Sequence, residues 1–213
     1  MFHVPGVRHT ALCTWNFVSK KNLINFKFLM KRLFAAIKIH PSAQYISLFN
    51  EISSSLRHER IKWIEPENTH LTLKFFGETD DAKIPAICHA LESATAQSTP
   101  FTLKIARTGV FGSRYDPKVI WFGIEKNEEL DRLARNIFTE LAKCGWEADR
   151  QNFVPHLTIG RIKELRDKPL FQKIVGIHNM VEIQDENVTE IILYESILRR
   201  EGPLYVKVFS AVL

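Results

Sequence analysis

The segment THLTLKF at residues 69–75 and the segment PHLTIGR at residues 155–161 both contain the tripeptide His-Leu-Thr. Random order would give on the order of 0.04 such tripeptides in a chain of this composition, so two copies need a cause. Each copy is typical of a β-strand, in which alternate side chains point to opposite faces. His70 and Thr72 therefore share one face of their strand, and His156 and Thr158 share one face of theirs.

The two copies lie 86 residues apart, and each follows a helical pattern at a similar distance, which indicates a diverged internal duplication. Two related modules pack most economically about a pseudo-twofold axis. The sequence therefore predicts an α+β fold: a bilobal sandwich of two pseudo-twofold related modules, with antiparallel sheets lining a central groove and helices outside. We expect the two His-Leu-Thr strands to face that groove from opposite sides.

Hydrophobic periodicity and punctuating residues predict the flanking elements. We expect helices opened by Pro41, capped by Asp80 or Asp81, around residues 130–141 and over residues 168–178, and two final strands at 188–198 and 204–212. We predict that residues 1–29, which lack a periodic apolar pattern, are a disordered N-terminal extension. Residues 30–213 are predicted to form a single domain.

Composition excludes several classes of protein. With 45% hydrophobic and 25% charged residues, the chain is typical of a soluble globular protein. Its net charge of +5 does not by itself indicate nucleic-acid binding, because residues 1–29 hold four cations and no acid, and the remainder carries 25 basic and 24 acidic residues. Cys13, Cys88 and Cys144 lie far apart, which favours a reducing, cytoplasmic location over a disulfide framework. No segment approaches a transmembrane run, so we expect no membrane partner.

Two imidazoles and two hydroxyls in one groove indicate acid–base chemistry on a phosphodiester. With an ordinary pKa near 6.5, one histidine can be a neutral general base while the other is a protonated general acid. Hydroxyls can hold the non-bridging phosphate oxygens as charge develops. Two histidines without a carboxylate or thiolate at ligand spacing do not complete a metal site, and no serine-nucleophile or P-loop motif is present. We therefore expect no metal and no cofactor.

The chain from about residue 31 onward resembles the two-histidine phosphoesterases, and within them the RNA 2′,3′-cyclic phosphodiesterases, also called LigT-like or 2′-5′ RNA ligase-like proteins. The similarity lies in RLFAAIKI, WIEPENTHLTLKFFGE, VFGSRYDPKVIWFGI and FVPHLTIGRI. The resemblance implies hydrolysis of a 2′,3′-cyclic phosphate end of RNA to a 2′-phosphomonoester. It further implies that His70 is the proton donor, that His156 is the proton acceptor, and that Thr72 and Thr158 hold phosphate.

Three further residues are candidates for substrate binding. Strict alternation from His70 places Lys74 and Phe76 on the groove face, where they would serve phosphate charge and base stacking; the alternatives are a solvated lysine and a core phenylalanine. A bulge at Gly160 would turn Arg161 into the groove, and the alternative is a structural salt bridge.

Two other functions remain open at this point. One is RNA 2′-5′ ligation, which is the reverse chemistry in the same site, and the other is a non-catalytic nucleotide-binding module. Retention of both histidines and both threonines disfavours a non-catalytic binder. The expected partner is RNA or a nucleotide ending in a 2′,3′-cyclic phosphate, bound by a monomer.

Overall fold

A computed structural model describes residues 30–146, 153–200 and 202–213. The elements in chain order are β1 Met30–Lys38, α1 Ala43–Ser55, β2 Arg60–Trp63, β3 His70–Asp80, α2 Ile84–Thr95, β4 Phe101–Gly112, β5 Pro117–Ile124, α3 Glu128–Lys143, β6 His156–Glu164, α4 Lys168–Ile177, β7 Glu182–Val188, β8 Glu190–Leu198 and β9 Pro203–Val212. The predicted extension at residues 1–29 lies outside the described residues.

The described strands form two antiparallel sheets. The first sheet has the order β3-β1-β8-β9, and the second has the order β2-β6-β5-β4-β7. The first His-Leu-Thr motif thus lies in one sheet and the second motif in the other. Two antiparallel sheets combined with helices confirm the predicted α+β class.

The hydrophobic core joins helices to both sheets. Tyr45 of α1, Leu91 of α2, Leu133 of α3 and Phe171 of α4 are all buried in one cluster with apolar residues of both sheets. The alternating pattern of the strands explains this arrangement, because each strand gives one set of side chains to the helices and the other set to the opposite face.

Side-chain caps begin helices α1, α3 and α4, and the cap of α1 corrects a sequence prediction. The Ser42 hydroxyl accepts a hydrogen bond from the Tyr45 backbone N–H, so α1 begins at Ala43 and Pro41 lies just outside it. Asp80 is a cap as predicted. It caps a short 3₁₀ turn, Asp81–Lys83, which leads into α2.

The sequence patterns also missed β7. This strand, EIQDENV, carries three acids in seven residues and pairs with β4 at the edge of the second sheet. Its apolar alternation is too weak to distinguish it from a loop, and only pairing with β4 defines it.

Candidate active site

The first motif opens β3 on the face predicted for it. In the pairing of β1 with β3, Lys38 lies opposite His70, and Ala36 lies opposite Thr72. Leu71 is buried in the core, whereas His70 and Thr72 are only partly covered. The apolar residue therefore anchors the strand while the two polar side chains lie on the other face.

The second motif repeats this arrangement in β6. Gly123 lies opposite His156, and Trp121 lies opposite Thr158, in the pairing of β5 with β6. Leu157 is buried in the core, and the histidine and threonine are partly covered. Strands β3 and β6 contact each other across the two sheets, which brings the two motifs to one groove.

Matching backbone contacts hold the two imidazole rings. His70 Nδ1 lies 2.7 Å from the Asn68 carbonyl oxygen, and His156 Nδ1 lies 2.8 Å from the Val154 carbonyl oxygen. A carbonyl oxygen only accepts hydrogen bonds, so each Nδ1 is the protonated nitrogen that donates. In the neutral ring, Nε2 is then left as an unprotonated base, and in the charged ring Nε2–H is a proton donor.

Aromatic rings cover both histidines. The His70 ring centroid lies 4.9 Å from that of Phe34 and 5.1 Å from that of Tyr205. The His156 ring packs edge-on against Phe111 with a centroid distance of 4.6 Å. These contacts fix the rings and remove water from them.

Burial governs the charge of both imidazoles. It lowers the pKa of His70 to about 4; the Asn68 carbonyl opposes this shift, and the positive charges of Lys38, Arg161 and His156 add to it. Burial also lowers the pKa of His156, opposed by the Val154 carbonyl and reinforced by Arg161. His70 is therefore neutral at pH 7 in the ligand-free protein.

The lowered His70 pKa predicts a pH-dependent stability. In the unfolded chain His70 binds a proton near pH 6.5, whereas in the native state it does so only near pH 4. The contribution of the buried neutral imidazole to the free energy of unfolding is thus fully present above pH 6.5 and is lost as the pH falls from about 6.5 to about 4. Between pH 7 and pH 4.5, we expect the free energy of unfolding of the wild-type protein to fall by about 2 to 3 kcal/mol more than that of the His70→Gln variant. Urea unfolding at the two pH values measures the difference, and equal losses in both proteins would contradict the prediction.

Two irregularities in β3 correct the predictions for Lys74 and Phe76. The pairing with β1 shifts at Leu73 and again at Phe76, so strict alternation from His70 fails. Lys74 pairs with the core residue Ala35 and is 5% exposed, which places it on the core side of the sheet. Phe76 is buried in the core, where its ring packs edge-on against Trp146. Neither side chain lies on the groove face.

The same irregularities turn a different aromatic residue toward the groove. Phe75 pairs with Phe34, and its ring lies 5.8 Å from the Phe34 ring that covers His70. It is 55% exposed. Phe75 is therefore the exposed aromatic side chain that β3 places on the groove face.

Arg161 lies on the groove face because β6 also contains an irregularity. The pairing with β5 shifts at Ile159, so Gly160 turns to the core side and Arg161 pairs with Val119 on the other side. Its charge lowers the pKa of both motif histidines and opposes the rise in the pKa of Tyr205. Arg161 is therefore close to all three groups.

Glycine at position 160 is required for close packing rather than for its backbone angle. A Cβ atom there would lie 2.9 Å from Ile61 Cγ2 and 3.0 Å from Trp63 Cε3. Both side chains therefore cover Gly160 from the core side, and their contact fixes β2 against the end of β6.

Several residues of the site were missed by sequence analysis. Lys38, Phe34, Phe111 and Tyr205 come from strands other than those of the motifs. Lys38 is held by the Glu67 carbonyl oxygen, and burial lowers its pKa. The pattern of the opening strand offers a signal for Phe34 and Lys38, since they alternate with the core residues Leu33, Ala35 and Ile37. The sequence does not show that Lys38 pairs with His70. Among the described residues, no group of three or more His, Cys, Asp or Glu side chains is placed to hold a metal ion.

Comparison with known proteins places this geometry in a family. The family model described as the 2′-5′ RNA ligase superfamily matches residues 42–195. This chain belongs to the 2′-5′ RNA ligase superfamily. The matched segment contains both His-Leu-Thr motifs and Arg161.

Curated relatives agree with this membership. The chain is 34% identical to the RNA 2′,3′-cyclic phosphodiesterase of Archaeoglobus fulgidus over 82% of this chain and 96% of that protein. It is 35% identical to the protein of the same name from Methanothermobacter thermautotrophicus, over 68% of this chain and 79% of the relative.

Solved structures share the fold. TT0787 of Thermus thermophilus superposes with a TM-score of 0.68 at 24% identity, covering 85% of this chain and 97% of that one. LigT of E. coli, crystallised with 3′-AMP, superposes with a TM-score of 0.64 at 23% identity, covering 86% and 98% of the two chains.

No helix in the described part of the chain is long and apolar enough to cross a membrane.

Proposed function

We propose that this protein is a phosphoric diester hydrolase that opens RNA 2′,3′-cyclic phosphate ends to 2′-phosphomonoesters without a metal ion. The observation that carries the proposal is the pair of imidazoles, each with Nδ1 bound to a backbone carbonyl and Nε2 left for proton transfer, beside Arg161. Family membership and the curated relatives named RNA 2′,3′-cyclic phosphodiesterase support it.

The proposed reaction is a single in-line displacement at phosphorus. His156 Nε2 accepts a proton from water as the water oxygen forms a bond to phosphorus. The bond from phosphorus to O3′ breaks, and His70 Nε2–H donates its proton to the leaving O3′. Thr72, Thr158 and Arg161 bind the non-bridging oxygens, on which negative charge develops. One water is consumed, and the product carries a 2′-phosphate and a 3′-hydroxyl.

A bound substrate changes the protonation of His70, the proposed proton donor. A proton donor must be charged, yet burial keeps His70 neutral at pH 7 in the free protein. A bound phosphodiester anion next to the ring favours the charged form, which raises its pKa. The acid form of His70 is therefore stabilised when substrate is present, and we expect its pKa to be higher in kcat profiles than in kcat/KM profiles.

A 2′-5′ ligase is a second candidate, since the family model carries that description. Ligation uses the same displacement with another nucleophile: a 5′-hydroxyl in place of water gives up its proton and bonds to phosphorus, the bond from phosphorus to O3′ breaks, and a 2′-5′ linkage with a free 3′-hydroxyl results. All of the proposed catalytic side chains come from one chain, so we propose that the monomer is the active species.

The decisive experiment uses an RNA oligonucleotide ending in a 2′,3′-cyclic phosphate, with and without an acceptor RNA bearing a 5′-hydroxyl. We expect a 2′-phosphomonoester as the main product, and full activity in excess EDTA without added Mg²⁺, because acid, base and oxyanion donors are all side chains. A joined RNA as the main product would establish the ligase, and a 3′-phosphate would overturn the assigned regiochemistry. Loss of activity on chelation that a single metal restores would contradict the metal-independent mechanism.

A further inference from the structure

Two cations lie side by side where the groove face of the second sheet reaches its edge strand. Lys62 of β2 and Arg161 of β6 are directly opposite each other in the antiparallel pairing. Lys62 lies between Ile61 and Trp63, which contact Gly160 on the core side, so its side chain points to the groove face. Both cations are exposed.

This arrangement is costly unless an anion is bound. Like charges directly opposite on one face of a sheet are destabilising. Two other exposed cations, one on β2 and one on β5, are paired with carboxylates: Arg60 binds Glu164 at 2.8 Å, and Lys118 binds Asp116 at 2.7 Å. Within the described residues, neither Lys62 nor Arg161 has a carboxylate partner. The two adjacent positive charges therefore favour an anion at this place on the groove face.

The two cations lie at different distances from the motif histidines. Arg161 lies on the groove face of β6, the strand that carries His156, and its charge acts on both motif histidines, so it lies beside the proposed reaction centre. Lys62 lies one strand further out, about 5 Å away across the sheet, on the edge strand β2. A phosphate bound by Lys62 would therefore lie about one strand spacing from a phosphate bound by Arg161.

From this placement, and resting on the proposed function, we propose that Lys62 binds a backbone phosphate of the RNA chain attached to the terminal nucleotide. The protein then prefers an oligonucleotide to a mononucleotide, because the second phosphate exists only in the longer substrate. Lys62 is a specificity residue and takes no part in proton transfer.

The test compares an oligoadenylate ending in a 2′,3′-cyclic phosphate with adenosine 2′,3′-cyclic phosphate. We expect Lys62→Ala to reduce the ratio of their kcat/KM values about fivefold, and Lys62→Arg to restore it. The slope of log kcat/KM for the oligonucleotide against log salt concentration should become shallower by about 0.7, the value for one phosphate contact to a single strand. Arg60→Ala is the matched control, since it removes an ion-paired cation from the same strand, and its ratio should equal that of the wild type.

Two results would overturn the proposal. If Lys62→Ala gives the same ratio and the same salt slope as Arg60→Ala, Lys62 does not bind the RNA chain, although the proposed hydrolysis stands. If the wild-type protein has no cyclic-phosphate hydrolysis, fluorescence anisotropy with a labelled oligoadenylate bearing a 2′-phosphate replaces the kinetic readout. In that case the proposed function is wrong, and equal binding slopes in the wild type and in Lys62→Ala would also exclude the phosphate contact.

Discussion

Replacing His70 or His156 with alanine is expected to lower kcat on cyclic-phosphate RNA by about 10² to 10⁴-fold in each case, because each variant loses one of two proton transfers. The double variant should fall by much less than the product of the two single losses, since both groups act in one transition state. Steady-state kinetics of the two single variants and the double variant measures this non-additivity.

His89→Ala is the matched control, because it removes an exposed histidine from helix α2 without touching the groove. Thr72→Ala and Thr158→Ala should lose less, about 1.5 to 3 kcal/mol each of transition-state binding, the value of a hydrogen bond to a charged group. If either histidine variant retains near wild-type turnover while folded, the paired acid–base mechanism is wrong. If the folded wild-type protein has no turnover at all, the nucleotide-binding module becomes the better explanation.

Replacing Phe34 with alanine is expected to lower the free energy of unfolding by about 3 to 5 kcal/mol, the usual cost of truncating a buried aromatic side chain. Phe34 is 2% exposed, and its ring contacts His70, Tyr194 and Tyr205 with centroid distances of 4.9, 5.3 and 5.0 Å. The same variant should raise the pKa of His70 from about 4 toward its ordinary value, since burial is the main cause of the lowering. Urea unfolding and an NMR titration of the His70 ring measure the two effects.

Two variants separate burial from the loss of any aromatic ring. Phe34→Leu keeps an apolar side chain over His70 and should cost clearly less stability, with a smaller change in the His70 pKa. Tyr115→Ala removes a ring that is 80% exposed and should leave both quantities unchanged. A His70 pKa that stays near 4 in Phe34→Ala would mean that other groups cause the lowering.

The motifs and their faces were predictable because they depend on short-range geometry. His70 with Thr72, and His156 with Thr158, lie two residues apart, and alternation along a strand determines their common face without reference to other elements. Repetition of the tripeptide then indicated that two modules meet at one groove. The contact of β3 with β6 agrees with that prediction.

Beyond the tripeptides, the same alternation gave wrong results where the pairing is irregular. The extra residue Leu73 reverses the alternation in β3, so Lys74 and Phe76 lie on the core side and Phe75 takes the groove position. No residue type in HLTLKFFGE signals these irregularities, because they arise from matching β3 to β1 across the sheet. For Arg161 the extra residue in β6 acts in the opposite sense and brings the side chain to the groove.

By itself, the sequence determined the fold class, the two strands that carry the chemistry and the residue types that face the groove, because local periodicity and a repeated motif encode them. Only the tertiary structure decided which neighbours those residues have. Phe34 and Phe111 against the histidines, Lys38 opposite His70, and Lys62 opposite Arg161 all depend on the register between strands distant in the chain. The charge of each imidazole follows from those neighbours, since burial and nearby cations set its pKa, and neither is a property of the motif alone.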